Sequence, residues 1–238
     1  RKRKTRRKRA KKIMNRAVKT QTNDSFDAIK GAHVLSGDPE KIQEYYDQWA
    51  VAYDSDVSNE EYTGPKYIAG LLANLKGDNG LKALDASDRN IEVLDAGCGT
   101  GLVGIVLKQK GYQKVDGSDL SEGMVEKARA TGAYNVLESG IDLTKKNEAY
   151  EDNQYDATVC CGVFTLGHVP PTALSELIRI TKPGGWVVVS TRKSYYDSSN
   201  FQEVCDRYQE EGKVKLVKHI EDGPYIAEEG AHYWAFAV

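Results

Sequence analysis

The segment with the clearest chemical potential is Val93-Leu94-Asp95-Ala96-Gly97-Cys98-Gly99-Thr100-Gly101. It reads as an apolar strand that ends in a carboxylate and then turns through three glycines. Glycine has no Cβ and tolerates positive φ, so such a turn lets a ligand lie against bare backbone. Leu102 to Lys110 is apolar and helix-compatible, and its first amides would point at that ligand. A second carboxylate, Asp119, follows the glycines by about 20 residues, the spacing of a ribose partner.

Two ligand classes compete for this loop. Gly99-Thr100-Gly101-Leu102-Val103-Gly104 matches the dinucleotide pattern G-x-G-x-x-G. Against it stands Asp95, which would repel a pyrophosphate but suits a cationic amino group. The loop also lies mid-chain, after two helices. Lys182-Pro183-Gly184-Gly185 and a closing antiparallel strand pair are foreign to the dinucleotide pattern.

Other elements must position these groups. Asn23 to Asp38 is polar and rich in small residues, a connector. Asp38-Pro39 starts a helix, with Asp as cap and Pro in the first turn. Ile42, Tyr46, Trp49 and Tyr53 share one face of it. Ser58 to Thr63 is a loop, Pro65 opens a second helix, and Gly77 to Gly80 is a turn. From Ile91 strands and helices alternate: strands at 91–96, 114–119, 134–138, 155–163 and 186–191, and helices at 102–110, 121–131, 170–181 and 201–211. Lys182 to Gly185 is a sharp turn. Strands at 213–220 and 232–238 close the chain without a helix between them. This order implies a parallel sheet with helices on both faces and an antiparallel pair at one side.

Composition narrows the classes. The chain has 238 residues, 40% of them hydrophobic and 29% charged, as in a globular domain. Its longest apolar runs fall short of the roughly 20 residues of a membrane span. Residues 1–19 hold 12 of the 33 Lys and Arg, leaving 21 against 35 Asp and Glu, a formal −14. Residues 1–13 read either as a nuclear-localisation or nucleic-acid arm or as upstream sequence before Met14. The acidic body disfavours a nucleic-acid substrate unless that arm is native. Cys98, Cys160, Cys161 and Cys205 lack zinc-ligand spacing, and the four histidines are scattered, so no metal is expected. Reduced thiols in a cytoplasmic setting, or a nuclear one if the arm is native, are the simplest reading.

The loop, Asp119-Leu120-Ser121 with Met124, Gly140 to Leu143, Tyr155-Asp156 and Lys182 to Gly185 together resemble the class I S-adenosylmethionine-dependent methyltransferases. Tyr46-Asp47-Gln48-Trp49-Ala50-Val51-Ala52-Tyr53-Asp54 and Gly162-Val163-Phe164-Thr165-Leu166-Gly167-His168-Val169 are similar to the methyltransferase-like family named after the Williams–Beuren syndrome critical region. The resemblance implies a Rossmann-like α/β fold: a seven-stranded, mostly parallel sheet with helices on both faces and an antiparallel closing strand. The arm and connector would span 1–37. The methyltransferase domain would span 38–238, with a helical cap over about 38–80.

It also implies site roles. Gly97, Gly99 and Gly101 pack against the amino-acid part of S-adenosyl-L-methionine, with Asp95 close by. Asp119 accepts both ribose hydroxyls. Leu120 and Met124 flank the adenine, Asp142 takes its amino group, and the Leu143 amide lies nearby. Cys161 runs beside the cofactor, and Tyr46, Trp49 and Tyr53 reach its methionine end from the cap. The expected reaction is methyl transfer to an unidentified small-molecule or protein acceptor by in-line displacement. His168 is the candidate general base, with Thr165, Arg192, Tyr195 and Tyr196 as candidate acceptor-pocket residues. A silent cofactor-binding module and an NAD(P)-dependent oxidoreductase are the alternatives.

Overall fold

A computed structural model describes residues 25–77 and 83–238. The basic run at 1–13 and Asp78 to Gly80 of the expected turn lie outside the described residues. Residues 25–33 are helical (α1). Then come α2 (Pro39–Trp49), α3 (Tyr53–Asn59) and α4 (Gly64–Leu72). The alternating part runs β1 (Glu92–Ala96), α5 (Leu102–Gln109), β2 (Lys114–Asp119), α6 (Glu122–Thr131), β3 (Leu137–Ser139) and β4 (Tyr155–Phe164). It continues through α7 (Leu174–Ile180), β5 (Thr181–Arg192), α8 (Lys193–Ser198), α9 (Phe201–Glu210), β6 (Lys215–Gly223) and β7 (Ala231–Ala237).

The seven strands form one sheet in the order β3-β2-β1-β4-β5-β7-β6. β1, β2, β3, β4 and β5 pair in parallel, and β7 runs antiparallel to both β5 and β6. The chain builds outward from β1 to β3 and then returns to start again at β4. The strand order therefore reverses between β1 and β4, and a crevice opens there beyond their carboxyl ends.

Strand periodicity sorts the apolar side chains onto two faces. Val93, Trp186, Val188 and Tyr233 join one core, against α4 and α5 residues such as Leu72 and Leu107. Leu94, Val187, Val189, Trp234 and Phe236 join the other, with Leu177, Phe201 and Phe164. Val93, Leu94 and Trp186 to Val189 are buried on both faces of the sheet, which is why these central strands do not alternate apolar with polar residues.

Four local expectations are corrected. The connector over 23–38 contains α1, because Ile29 and Ala32 bury against Trp49. The aromatic stripe is not one helix. α2 ends at Trp49, whose indole Nε1 donates to Asp56 Oδ2 at 2.8 Å across the break, and α3 carries the chain to Asn59, into the expected loop. β3 begins only at Leu137, since Tyr134 turns inward. Lys182 to Gly185 is an irregularity inside β5 rather than a turn before it: the pairing with β4 jumps from Tyr155↔Thr181 to Ala157↔Trp186.

Lys182 thus serves the sheet. Its Nζ lies 3.0 Å from Glu92 Oε2 and 3.0 Å from Asp156 Oδ1, at the amino ends of the strands. The pairs are partly solvated, so Lys182→Met is expected to cost at most about 1 kcal/mol, or a Tm lower by about 2–4 °C. Ligand affinity should not change. A thermal scan with and without ligand checks this, and a ligand-binding defect would put Lys182 in the site instead.

Candidate functional site

The glycine turn is held from below. The amides of Gly97 and Cys98 both donate to the Ser118 carbonyl at 2.8 Å. Gly97, Gly99 and Gly101 have φ of 73°, 53° and 98°, so each needs the freedom of glycine. A Cβ at Gly97 would stand 2.2 Å from Val163 Cγ2, whereas at Gly99 it would meet nothing within 4 Å. The outer side of Gly99 is therefore open, and it faces the crevice.

Asp119 closes the turn from β2. Its Oδ2 accepts the Gly99 amide at 2.9 Å and its Oδ1 accepts the Ser121 amide at 2.9 Å. Burial pushes its pKa up, and the backbone amides at Ser121, Gly99 and Leu120 pull it down. Ser121 then caps α6 by accepting from the Met124 amide at 3.0 Å, as the sequence suggests.

Asp95 lies behind the turn rather than on its open face. It is 0% exposed. Its Oδ2 accepts the Tyr134 hydroxyl at 2.7 Å, and Oδ1 is buried without a hydrogen-bond partner among the described residues. Burial pushes its pKa up to about 7 against the pull of Tyr134. Gly101 is also absent from the open face, since it begins α5 as the residue before Leu102.

The crevice is a partly enclosed pocket. Its floor holds Gly97, Gly99 and Asp119, and one side holds Leu120, Met124, Asp142 and Leu143. Cys161 to Val163 of β4, then His168, form the opposite wall, with Tyr46 and Tyr53 above. Asp142 Oδ1 accepts the Thr144 amide and hydroxyl at 2.9 and 2.7 Å, so this carboxylate also closes its own turn. Cys161 is no nucleophile: burial pushes its thiol up to about 12. Trp49 is absent from this pocket and stands behind Tyr46 and Tyr53, with ring centroids 5.6 and 4.8 Å away.

Polar contacts latch the cap down. Asp47 Oδ1 accepts Ser121 Oγ at 2.6 Å and the Gly123 amide at 2.8 Å, placing an α2 carboxylate at the amino end of α6, where the helix dipole favours it. Thr100 Oγ1 donates to Asp54 Oδ1 at 2.6 Å, tying α3 to the glycine turn.

His168 is 9% exposed. Its Nδ1 lies 2.8 Å from the Leu166 carbonyl oxygen, which only accepts, so the proton sits on Nδ1. Nε2 therefore accepts from the Tyr46 hydroxyl at 2.7 Å. Burial lowers the His168 pKa to about 4, so the ring is neutral near pH 7. Its basic nitrogen reaches the crevice through Tyr46.

A second, smaller cavity adjoins the first and shares Tyr46, Tyr53, Gly162 and His168 with it. Thr165 and Arg192, two of the candidate acceptor-pocket residues, line it. Tyr195 and Tyr196 do not. The Tyr195 hydroxyl donates to the Val169 carbonyl inside the core, and Tyr196 stacks on His232 at 4.0 Å. His33 of α1, which the sequence reading did not select, also lines the cavity. Its Nε2 lies 3.0 Å from Arg192 Nη1. The signal for it was the spacing of Phe26, Ile29, Ala32 and His33, which fits a helical face. Among the described residues no group of three or more His, Cys, Asp or Glu is placed to hold a metal ion. Among the same residues no helix is long and apolar enough to cross a membrane.

A doubly wound sheet, a glycine turn after β1 and an acid ending β2 define a nucleotide-type cofactor fold. Residues 67–237 match a family model described as a methyltransferase domain, and the chain belongs to that family. Over 174 residues it is 34% identical to human methyltransferase-like protein 27, covering 73% of this chain and 65% of that protein. It is 32% identical to the malonyl-[acyl-carrier protein] O-methyltransferase of Serratia marcescens, over 55% of this chain and 48% of the relative. The chain thus spans between about half and two thirds of these relatives. The fold is shared with magnesium protoporphyrin IX methyltransferase from Synechocystis PCC 6803, solved with bound SAH. The TM-score is 0.55 at 18% identity, over 83% of this chain and 98% of that one. It is shared also with a TehB-like SAM-dependent methyltransferase from Corynebacterium glutamicum, with a TM-score of 0.53 at 20% identity, over 84% and 99%.

Proposed function

We propose that this chain transfers a methyl group from S-adenosylmethionine to a small-molecule or protein acceptor. The observation that carries the reading is a single pocket joining the open face of Gly99, the Asp119 carboxylate and the Asp142 loop to a paired Tyr46 and His168. Family membership supports it.

The residues present fit this cofactor. Open space over Gly99 admits a close backbone contact, and a buried carboxylate oxygen of Asp95 without a partner lies behind the same turn. An ionised carboxylate has about four lone-pair sites, so Asp119 can hold two amides and still accept two ribose hydroxyls. Leu120 and Met124 would sandwich the adenine, and Asp142 with the Leu143 amide would meet its polar edge. Tyr46 and Tyr53 present aromatic surface to the methionine end, where a positive charge is favoured. Trp49 acts on that end by buttressing both rings.

When bound, S-adenosylmethionine supplies an electrophilic methyl group. The chain's own part is to align acceptor, methyl and sulfur, to exclude water beneath the latched cap, and to receive a proton. Tyr46 offers its oxygen for that proton, and His168 Nε2 accepts the one Tyr46 gives up. The cysteines Cys98, Cys160, Cys161 and Cys205 are all free and buried, which suits a reducing compartment such as the cytoplasm.

Calorimetric titration tests the reading. S-adenosylmethionine and S-adenosylhomocysteine are expected to bind saturably, and NAD and NADP are not. Binding of either dinucleotide in place of the sulfonium compounds would instead make the chain an oxidoreductase.

A further inference from the structure

We propose that the second cavity is the acceptor site and takes an uncharged, ring-bearing compound with an acidic hydroxyl, a phenol or enol, which docks its O–H on the Tyr46 hydroxyl. The proposal deepens the methyl-transfer reading and rests on it.

Shape is the first argument. Tyr46, Tyr53, Gly162 and His168 belong to both cavities, so a group in the second meets a group in the first at that junction. Beyond it most of the lining is aromatic or aliphatic, with His33, Thr165 and Arg192 as the polar members. Trp49 packs edge-on against Tyr53 with centroids 4.8 Å apart, and Tyr62 packs edge-on against Tyr225 at 5.1 Å. Val57, Ile226, Ile29 and Ala32 add aliphatic lining. A flat ring finds offset and edge contacts on such walls, whereas a flexible polar chain finds few partners.

Charge is the second argument. Arg192 is the one lining residue among those described that carries a fixed charge, and it is 4% exposed. It is already matched: Glu229 Oε1 lies 2.5 Å from its Nε and Nη2, and Glu228 Oε2 lies 3.4 Å from Nη2. A carboxylate acceptor would thus compete with two carboxylates for one guanidinium. An ammonium acceptor would find no unpaired carboxylate lining the cavity. Either charge would be buried without compensation, which is costly.

The proton path is the third argument. The Leu166 carbonyl fixes the His168 tautomer, and Nε2 faces the Tyr46 hydroxyl at 2.7 Å. The Tyr53 hydroxyl, at the same junction, makes no hydrogen bond among the described residues and is left to receive a ligand. In the step, the acceptor oxygen bonds to the methyl carbon while the carbon–sulfur bond breaks and its electron pair stays on sulfur. The acceptor's proton passes to the Tyr46 oxygen, and the Tyr46 proton passes to His168 Nε2. The products are a methyl ether, a neutral thioether and a protonated imidazole, which later gives its proton to water. His33 and Arg192 face His168 from α1 and β5 and oppose its protonation, and Asp119 faces Tyr46 from β2. A base weakened in this way suits an O–H near the tyrosine value of about 10 rather than an aliphatic alcohol.

The test uses the full chain saturated with S-adenosylhomocysteine and three matched probes: 2-naphthol, 2-naphthoate and 2-naphthylmethylamine. Ligand-detected NMR should show naphthol binding, with the acid and the amine weaker by at least about 30-fold. Val57→Trp, or Ile226→Trp if the first fails to fold, should remove naphthol binding and leave S-adenosylhomocysteine affinity within about twofold. With S-adenosylmethionine, naphthol should be methylated on oxygen. Tyr46→Phe should lower kcat by about 100-fold or more, with a smaller change in KM. The proposal is overturned if the acid or amine binds as well as naphthol, if no probe binds, or if naphthol binding survives the tryptophan variants. Failure to bind S-adenosylhomocysteine is a separate outcome, and it removes the methyl-transfer reading itself.

Discussion

Asp119→Ala is expected to weaken S-adenosylhomocysteine binding by at least about 100-fold. A hydrogen bond to a charged group contributes about 1.5–3 kcal/mol, and two ribose hydroxyls are at stake, so the loss should reach about 3 kcal/mol or more. The same carboxylate accepts the amides of Gly99 and Ser121, so the substitution also loosens the turn that shapes the pocket. Its fold cost should stay moderate, because removing a buried carboxylate also removes the burial that raises its pKa. A Tm lower by less than about 5 °C in the free protein would separate the ligand effect from unfolding. Asp119→Asn keeps one acceptor oxygen and should fall between, at roughly 10-fold. Calorimetry on the three proteins decides it. Affinity of Asp119→Ala within about threefold of the parent would move the ribose elsewhere.

The features legible in the sequence are those set by neighbours in the chain. The strand into the glycine turn, the Asp38 and Ser121 caps and the acid ending β2 each depend on a few consecutive residues. The mostly parallel sheet with an antiparallel pair at one side followed from strand–helix alternation plus a final pair lacking a helix, whereas the strand order did not. What stayed hidden depends on distant partners. α1 has a helical face in Phe26, Ile29, Ala32 and His33, but only its packing on Trp49, 17 or more positions away, shows that His33 belongs to the site. Asp47 reads as an exposed helical acid until α6 is placed beneath it. Tyr134 reads as a strand residue until its hydroxyl meets Asp95, 39 positions earlier. Lys182 has a motif-like setting, yet its partners Glu92 and Asp156 belong to other strands. Tyr195 and Tyr196 follow β5 toward the site, but α8 turns them into the core and onto His232.

Asp95 carries the second large effect, through pH. Free of ligand, its carboxyl has a pKa near 7 because it is buried, with Tyr134 as its one side-chain donor and Asp119 adding repulsion from β2. The unfolded value is about 3.9. The folded state therefore holds a proton that the unfolded chain gives up between about pH 4 and 7. Stability is full below about pH 4 and falls as pH rises through about 7, by on the order of 4 kcal/mol if Asp95 acts alone. Urea unfolding at pH 5 and pH 8 should show this fall, and Asp95→Asn, which cannot ionise, should flatten it. A ligand ammonium near this carboxylate reverses the preference. S-adenosylhomocysteine should then bind more tightly as pH rises toward 7 and release up to about one proton per site below it. Above about pH 8 the gain should fade as the ligand's own amino group deprotonates. Calorimetry in two buffers of different ionisation enthalpy measures the proton directly. A pH-independent affinity without proton release, together with a flat stability profile, would place the ligand's charge away from Asp95 and leave that residue a purely structural anchor for Tyr134.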